Sequence, residues 1–143
     1  IKSVAEPPKF YEDMNAFKLF MNDCGLYGAL SETHPDKILV GMNIFTEYKG
    51  AFTEEYVAMQ LNSMSDVSSY YYSRENSKLE LDFIVYDNGK LIPVEVKANE
   101  NLKSKSLKTI LEKTPELYGM RLSMSPYRKE ERFENIPLWG IWA

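Results

Sequence analysis

The dipeptide Asn88-Gly89, set between the apolar runs of LELDFIVYDNGKLIPVEVKA (79–98), constrains this chain more than any other feature. A two-residue type I′ turn needs positive φ at both central positions, which Asn and Gly adopt most readily. The pattern therefore predicts a tight antiparallel hairpin. In that register Asp87 faces Lys90, Tyr86 faces Leu91, Val85 faces Ile92 and Ile84 faces Pro93. Further out, Phe83 faces Val94, Asp82 faces Glu95 and Glu80 faces Lys97. Alternation puts Leu79, Leu81, Phe83 and Val85 on one face with Ile92, Val94 and Val96, an apolar face that must be core. The other face carries Ile84, Tyr86, Leu91 and Pro93 near the turn, then the charges of Asp82, Glu95, Glu80 and Lys97.

Those charges are clustered. Asp82 and Glu95 are expected as a directly opposed, non-hydrogen-bonded pair with Cβ atoms about 5 Å apart. Two carboxylates at that distance repel by about 3 kcal/mol at an effective dielectric of about 20. A bound divalent cation would remove the conflict, and an oxygen-only donor set suits Mg²⁺ or Mn²⁺. Lys97 would then lie beside the ion, placed to orient a water or to stabilise charge developing on a phosphate. The competing reading is a four-charge ladder, with Glu80 and Lys97 as an ion pair and the two carboxylates leaning on solvent or basic neighbours. Pro93 removes one ladder donor, so one side of its strand must be locally unpaired.

The rest of the chain sets the frame. Its 143 residues suit one domain, 1–143, with a real hydrophobic core, and 44% apolar with 27% charged residues is ordinary for a soluble globular protein. Runs such as ILVGMNIF are too short to span a bilayer, so no membrane is expected. The single Cys24 excludes an internal disulfide and agrees with a cytoplasmic location. With one histidine, His34, read in a His-Pro-Asp loop, a Cys/His zinc site and a Ser/His/Asp constellation are not expected. The chain opens on Ile1 and an AEPPKFYED stretch that reads as extended, so residues 1–17 are expected to be an extended segment left from a longer chain.

Downstream, AFKLFMNDCGLYGALSE reads as a short strand and then a helical turn after Asn22 or Asp23. Residues 38–63 read as helix with Gly41 and Gly50 as breaks, and with Ala51, Glu54, Ala58 and Leu61 on one stripe. SYYYSR has the aromatic density of a strand. SLKTILEKTPE is expected as a helix capped by Ser104 or Ser106 and stopped near Pro115. GMRLSM and IPLWGIWA read as two further strands. The order predicts an α+β or mixed α/β sheet domain. Charge is uneven: residues 1–96 hold 8 Lys/Arg against 15 Asp/Glu, and residues 97–132 hold 9 against 5, within a net charge of −4. The sum argues against indiscriminate nucleic-acid binding, while the segment after Glu95 offers a basic surface.

A helix glutamate, a strand aspartate, a hairpin and Glu-x-Lys together resemble the PD-(D/E)XK nuclease superfamily. More narrowly, KLFMNDCGLYGAL, YKGAFTEEYVAMQL, YYYSRENSKLELDFIV, GKLIPVEVKA, KSKSLKTILEK and IPLWGI resemble, in order, a domain of unknown function. That domain forms the C-terminal half of many bacterial and archaeal AAA+ ATPases. The resemblance implies a restriction-endonuclease-like core, a central mixed β-sheet flanked by helices. Within it Glu54 matches the helix glutamate, Asp82 the strand aspartate, and Glu95 and Lys97 the Glu-x-Lys pair. It further implies Mg²⁺ or Mn²⁺ held by Asp82, Glu95 and Glu54, with Lys97 assisting the attacking water. Leu81 stands where the superfamily's motif has proline. No G-x(4)-G-K-[ST] occurs, so no ATPase activity is expected of this chain; the ATPase module is an expected partner in cis.

Two functions follow as expectations. One is a metal-dependent phosphodiesterase acting on nucleic acid, with Lys103, Lys105 and Lys108 contacting phosphates. The other is a non-catalytic module that docks to or regulates an ATPase and engages DNA or a protein, for which the acidic balance and Tyr70, Tyr71 and Tyr72 speak.

Overall fold

The computed structural model describes residues 1–32, 45–74, 79–98 and 103–141. Among the described residues, six strands form one sheet: β1 (Val67–Ser73), β2 (Glu80–Asp87), β3 (Lys90–Lys97), β4 (Gly119–Ser123), β5 (Arg128–Lys129) and β6 (Phe133–Pro137). Their spatial order is β1-β2-β3-β4-β6-β5. The pairs β1–β2, β2–β3 and β5–β6 are antiparallel, while β3–β4 and β4–β6 are parallel, so the sheet is mixed. Among the described residues the helices are α1 (Cys24–Leu30), α2 (Phe45–Asn62) and α3 (Lys105–Lys113). Helix α3 lies in the crossover that a parallel β3–β4 pair requires.

The hairpin turn forms as its sequence predicts. Asn88 and Gly89 have φ of 48° and 77°, and the ladder runs from Asp87 opposite Lys90 to Phe83 opposite Val94. Counting from the turn, Ile84 and Pro93 are a non-hydrogen-bonded pair, so the missing Pro93 donor faces away from β2. The ladder to β4 begins one residue later, at Val94.

The expected single apolar face is corrected. Pairing of β1 with β2 passes from Tyr70 opposite Ile84 to Tyr72 opposite Leu81, so Asp82 and Phe83 together stand opposite Tyr71. This bulge adds a residue to β2 and reverses the alternation beyond it. Phe83 and Val85 pack with Val94, Val96 and Leu122 against Val57, Ala58 and Leu61 of α2. Leu81 turns to the opposite face and packs with Ile84, Leu91 and Phe133 against Leu107, Ile110 and Leu111 of α3. Leu79 packs against the same second cluster.

Local signals account for the helices. The Asp23 carboxylate accepts the Leu26 N–H at 2.8 Å and starts α1, as Asp at an N-cap should. Helix α2 runs through Gly50 without a break; Gly41, His34 and the expected helix start at residue 38 lie outside the described residues. Of the expected α2 stripe, Ala58 and Leu61 are buried and Ala51 is exposed. Helix α3 follows Ser104 and ends before Thr114, with its apolar residues at i, i+3 and i+4. Two expected strands differ: the segment from Ala16 to Asp23 belongs to no strand, and β6 ends at Pro137, after which Leu138–Gly140 is a 3-10 turn. No helix among the described residues is long and apolar enough to cross a membrane.

Candidate functional site

The two hairpin strands part company where the charges begin. Their ladder stops at Phe83–Val94. Alternation aims the next inward donor of β3, the Val96 N–H, at β2. It bonds there to the Asp82 side chain, Oδ2 at 2.7 Å. Asp82 and Glu95 therefore do not form the directly opposed ladder pair that the turn alone predicts. The reason is the bulge at Asp82–Phe83, together with the pairing of β3 to β4 from Val94–Met120 to Lys97–Ser123.

Glu95 projects toward α3 and is only 6% exposed. Its Oε2 accepts the Leu107 N–H at 3.3 Å, an amide of the first helical turn that has no partner within the helix. The Ser104 side chain makes no capping bond to α3, so a strand carboxylate performs that task, favourably placed at the positive end of the helix. Glu95 Oε1 lies 2.6 Å from Lys97 Nζ. The expected Glu80–Lys97 pair is thus replaced by Glu95–Lys97, because the bulge moves Glu80 out of that register. Beside Glu95 in the β3–β4 register stands Arg121, 2% exposed, whose Nε donates to Asn135 Oδ1 at 2.8 Å. The Ser123 hydroxyl donates to the same oxygen at 2.7 Å, and Asn135 Nδ2 donates to the Ser125 and Pro126 carbonyls.

On the α2 side the sequence pattern did not single out the central residue, Lys18. Its Nζ lies 3.3 Å from Glu54 Oε2 and 3.4 Å from Glu80 Oε1, and 5.4 Å from the centre of the Tyr71 ring. Burial alone would lower the Lys18 pKa, but the Glu54, Asp82 and Glu80 carboxylates outweigh it and the ammonium stands above the ordinary lysine value. The one hint in the sequence is a lysine inside the apolar run AFKLF. Asp82 shows the opposite balance. Burial raises its carboxyl to about 6; Glu54 and Glu95 add to the rise, while the Val96 N–H and Lys18 oppose it.

Glu54, Glu80, Asp82, Glu95 and Lys97 line one cleft of about 470 Å³, shared with Lys103 and Ser106. The structure thus gathers the four residues singled out by sequence, Glu54, Asp82, Glu95 and Lys97. Lys103 is exposed at the rim; Lys105 and Lys108 are exposed on α3, with Lys108 Nζ 5.9 Å from the centre of the Phe133 ring. Among the described residues, no three His, Cys, Asp or Glu side chains are grouped so as to hold a metal ion. Glu54 is turned to Lys18, and Glu95 to Lys97 and the α3 amide. The donor set is nonetheless all carboxylate, which fits a hard divalent cation, and Asp82 is a partly buried carboxyl that added positive charge would favour in its ionised form.

Residues 49–141 match the family described as Domain of unknown function (DUF4143). No curated protein matches the sequence.

Proposed function

We propose that this chain, which belongs to the DUF4143 family, is a PD-(D/E)XK-like phosphodiesterase domain that depends on Mg²⁺ or Mn²⁺ and acts on nucleic acid. The observation that carries the reading is the shared cleft, in which Glu54 and Glu95 flank the Asp82 carboxyl, raised to about 6, and Lys97 is held by Glu95. Asp82 and Glu95 would hold the cation, with Glu54 joining directly or through a water. When bound, the cation supplies Lewis-acid polarisation of a phosphoryl oxygen and a more acidic water. Lys97 is fixed by Glu95 and orients a water toward the phosphorus, and Lys103, Lys105 and Lys108 receive backbone phosphates. In this reading the domain works in the cytoplasm beside an AAA+ ATPase module of the same chain.

A second reading, a non-catalytic docking or regulatory module that binds DNA or a protein, has its own support. The protein's own ammonium and amide groups already neutralise Glu54 and Glu95. Titrating wild type and Asp82→Ala with Mn²⁺, then assaying single-stranded, duplex and branched DNA, separates the two. The nuclease reading expects saturable binding that weakens at least about tenfold in Asp82→Ala, and metal-dependent cleavage that the variant loses. Equal binding by both proteins, or by neither, would sink the metal site. Binding without cleavage of any substrate would leave the docking module.

A further inference from the structure

We propose that Lys18 is an internal cation that competes with the divalent ion: its ammonium holds Glu54, which lines the α2 side of the acidic cleft, and the ion gains Glu54 only by displacing it. This rests on the metal reading above and adds to it the residue that sets the site's affinity.

The placement is built by packing. Residues 17–20 belong to no regular element, and their side chains alternate between exposed and half-buried. Phe17 is 71% and Leu19 86% exposed. Lys18 and Phe20 turn inward, and both meet the bulge and its partner strand. Phe20 stacks on Phe83, with ring centres 5.6 Å apart. Lys18, two residues earlier, reaches past Tyr71 to carboxylates from two separate elements, Glu54 of α2 and Glu80 of β2. The Phe20 contact thus delivers the ammonium to the acidic end of the sheet.

The consequence is electrostatic. A divalent ion on Asp82 that also drew on Glu54 would meet the ammonium at contact range, where like charges repel strongly. Glu54 cannot serve both cations closely. This accounts for the failure of three carboxylates to converge among the described residues. The ion-competent arrangement, with Lys18 withdrawn, is then a minor state, and the apparent affinity is reduced by its population.

The test compares Mn²⁺ binding by wild type, Lys18→Met and Lys18→Arg, each with and without Glu54→Gln, by calorimetry and by the spin-resonance signal of free Mn²⁺. Lys18→Met should bind about tenfold or more tightly than wild type, and Lys18→Arg, which keeps the charge, should stay near wild type. The gain should vanish when Glu54→Gln is added, since the released ligand is then absent. Should Lys18→Met lower the melting temperature, Lys18→Gln keeps a donor toward Glu54 without the charge and takes its place. If wild type saturates and the neutral variant binds no more tightly, the competition is refuted while the metal site stands. If no protein binds saturably, the metal site itself falls and the competition with it.

Discussion

At Asp82 one carboxyl answers to burial, to two like charges and to two groups that favour its ionised form, and burial wins. Folding moves its pKa from an ordinary 3.8 to about 6. Between those values the folded state holds more protons than the unfolded one, so stability is greatest at the acid end and falls as pH rises. Ionising the folded carboxyl by pH 7 costs on the order of 3 kcal/mol relative to pH 4. Asp82→Asn keeps an acceptor for the Val96 N–H and removes the charge. It should raise stability by about 1–3 kcal/mol near pH 7.5 and change it little near pH 4, read from urea midpoints. An equal effect at both pH values would show that Asp82 ionisation is not coupled to folding. Retaining a charge that destabilises the fold is the trade expected of a functional residue. The same protonation should weaken any cation binding as pH falls below about 6.

Two elements carry the site's geometry, the β2 bulge and helix α3. The bulge re-aims Asp82 from the ladder to the Val96 amide and sends Leu81 and Phe83 to opposite cores. Helix α3 is seated on β4 through Gly119, where a Cβ would lie 2.8 Å from Leu107 Cδ1 and 3.1 Å from Leu111 Cδ1. Gly119→Ala should therefore cost about 1–3 kcal/mol by overpacking, seen as a lower melting temperature. Because Glu95 bonds the Leu107 amide, a shifted α3 should also weaken Mn²⁺ binding. A Gly119→Ala protein as stable as wild type would mean that the two leucines repack freely. The Glu95–Leu107 bond was not visible in sequence, since Ser104 and Ser106 are better local caps than a carboxylate on another strand. The bulge had no marker either; neither Asp82 nor Phe83 is a glycine that would betray it.

At the scale of the whole molecule, β3 is antiparallel to one neighbour and parallel to the other. Its C-terminal end is therefore where β2 diverges, α3 begins and β4 runs alongside, and a cleft opens there. Charge is divided around that cleft: carboxylates from α2, β2 and β3 lie inside, and Lys103 and Lys105 are exposed beside α3. If nucleic acid runs along this rim, Lys103→Gln with Lys105→Gln should weaken binding uniformly across sequences. The slope of log K against log salt should fall by roughly 2 for the two lost phosphate contacts. Identical slopes, measured by fluorescence anisotropy, would remove both lysines from the interface.

By itself the sequence determined the hairpin, its register near the turn, the amphipathic α3 and the identities of Asp82, Glu95 and Lys97 as one neighbourhood. Turn chemistry and side-chain periodicity act over a few residues, so these features need no distant contact. Only the tertiary structure decided which charges pair. Lys18 meets Glu54 across 36 residues of chain, Lys97 takes Glu95 and leaves Glu80, and Asp82 holds an amide of the neighbouring strand. One extra residue in β2 and one aromatic stack from the N-terminal segment set those partners, and neither has a local sequence pattern.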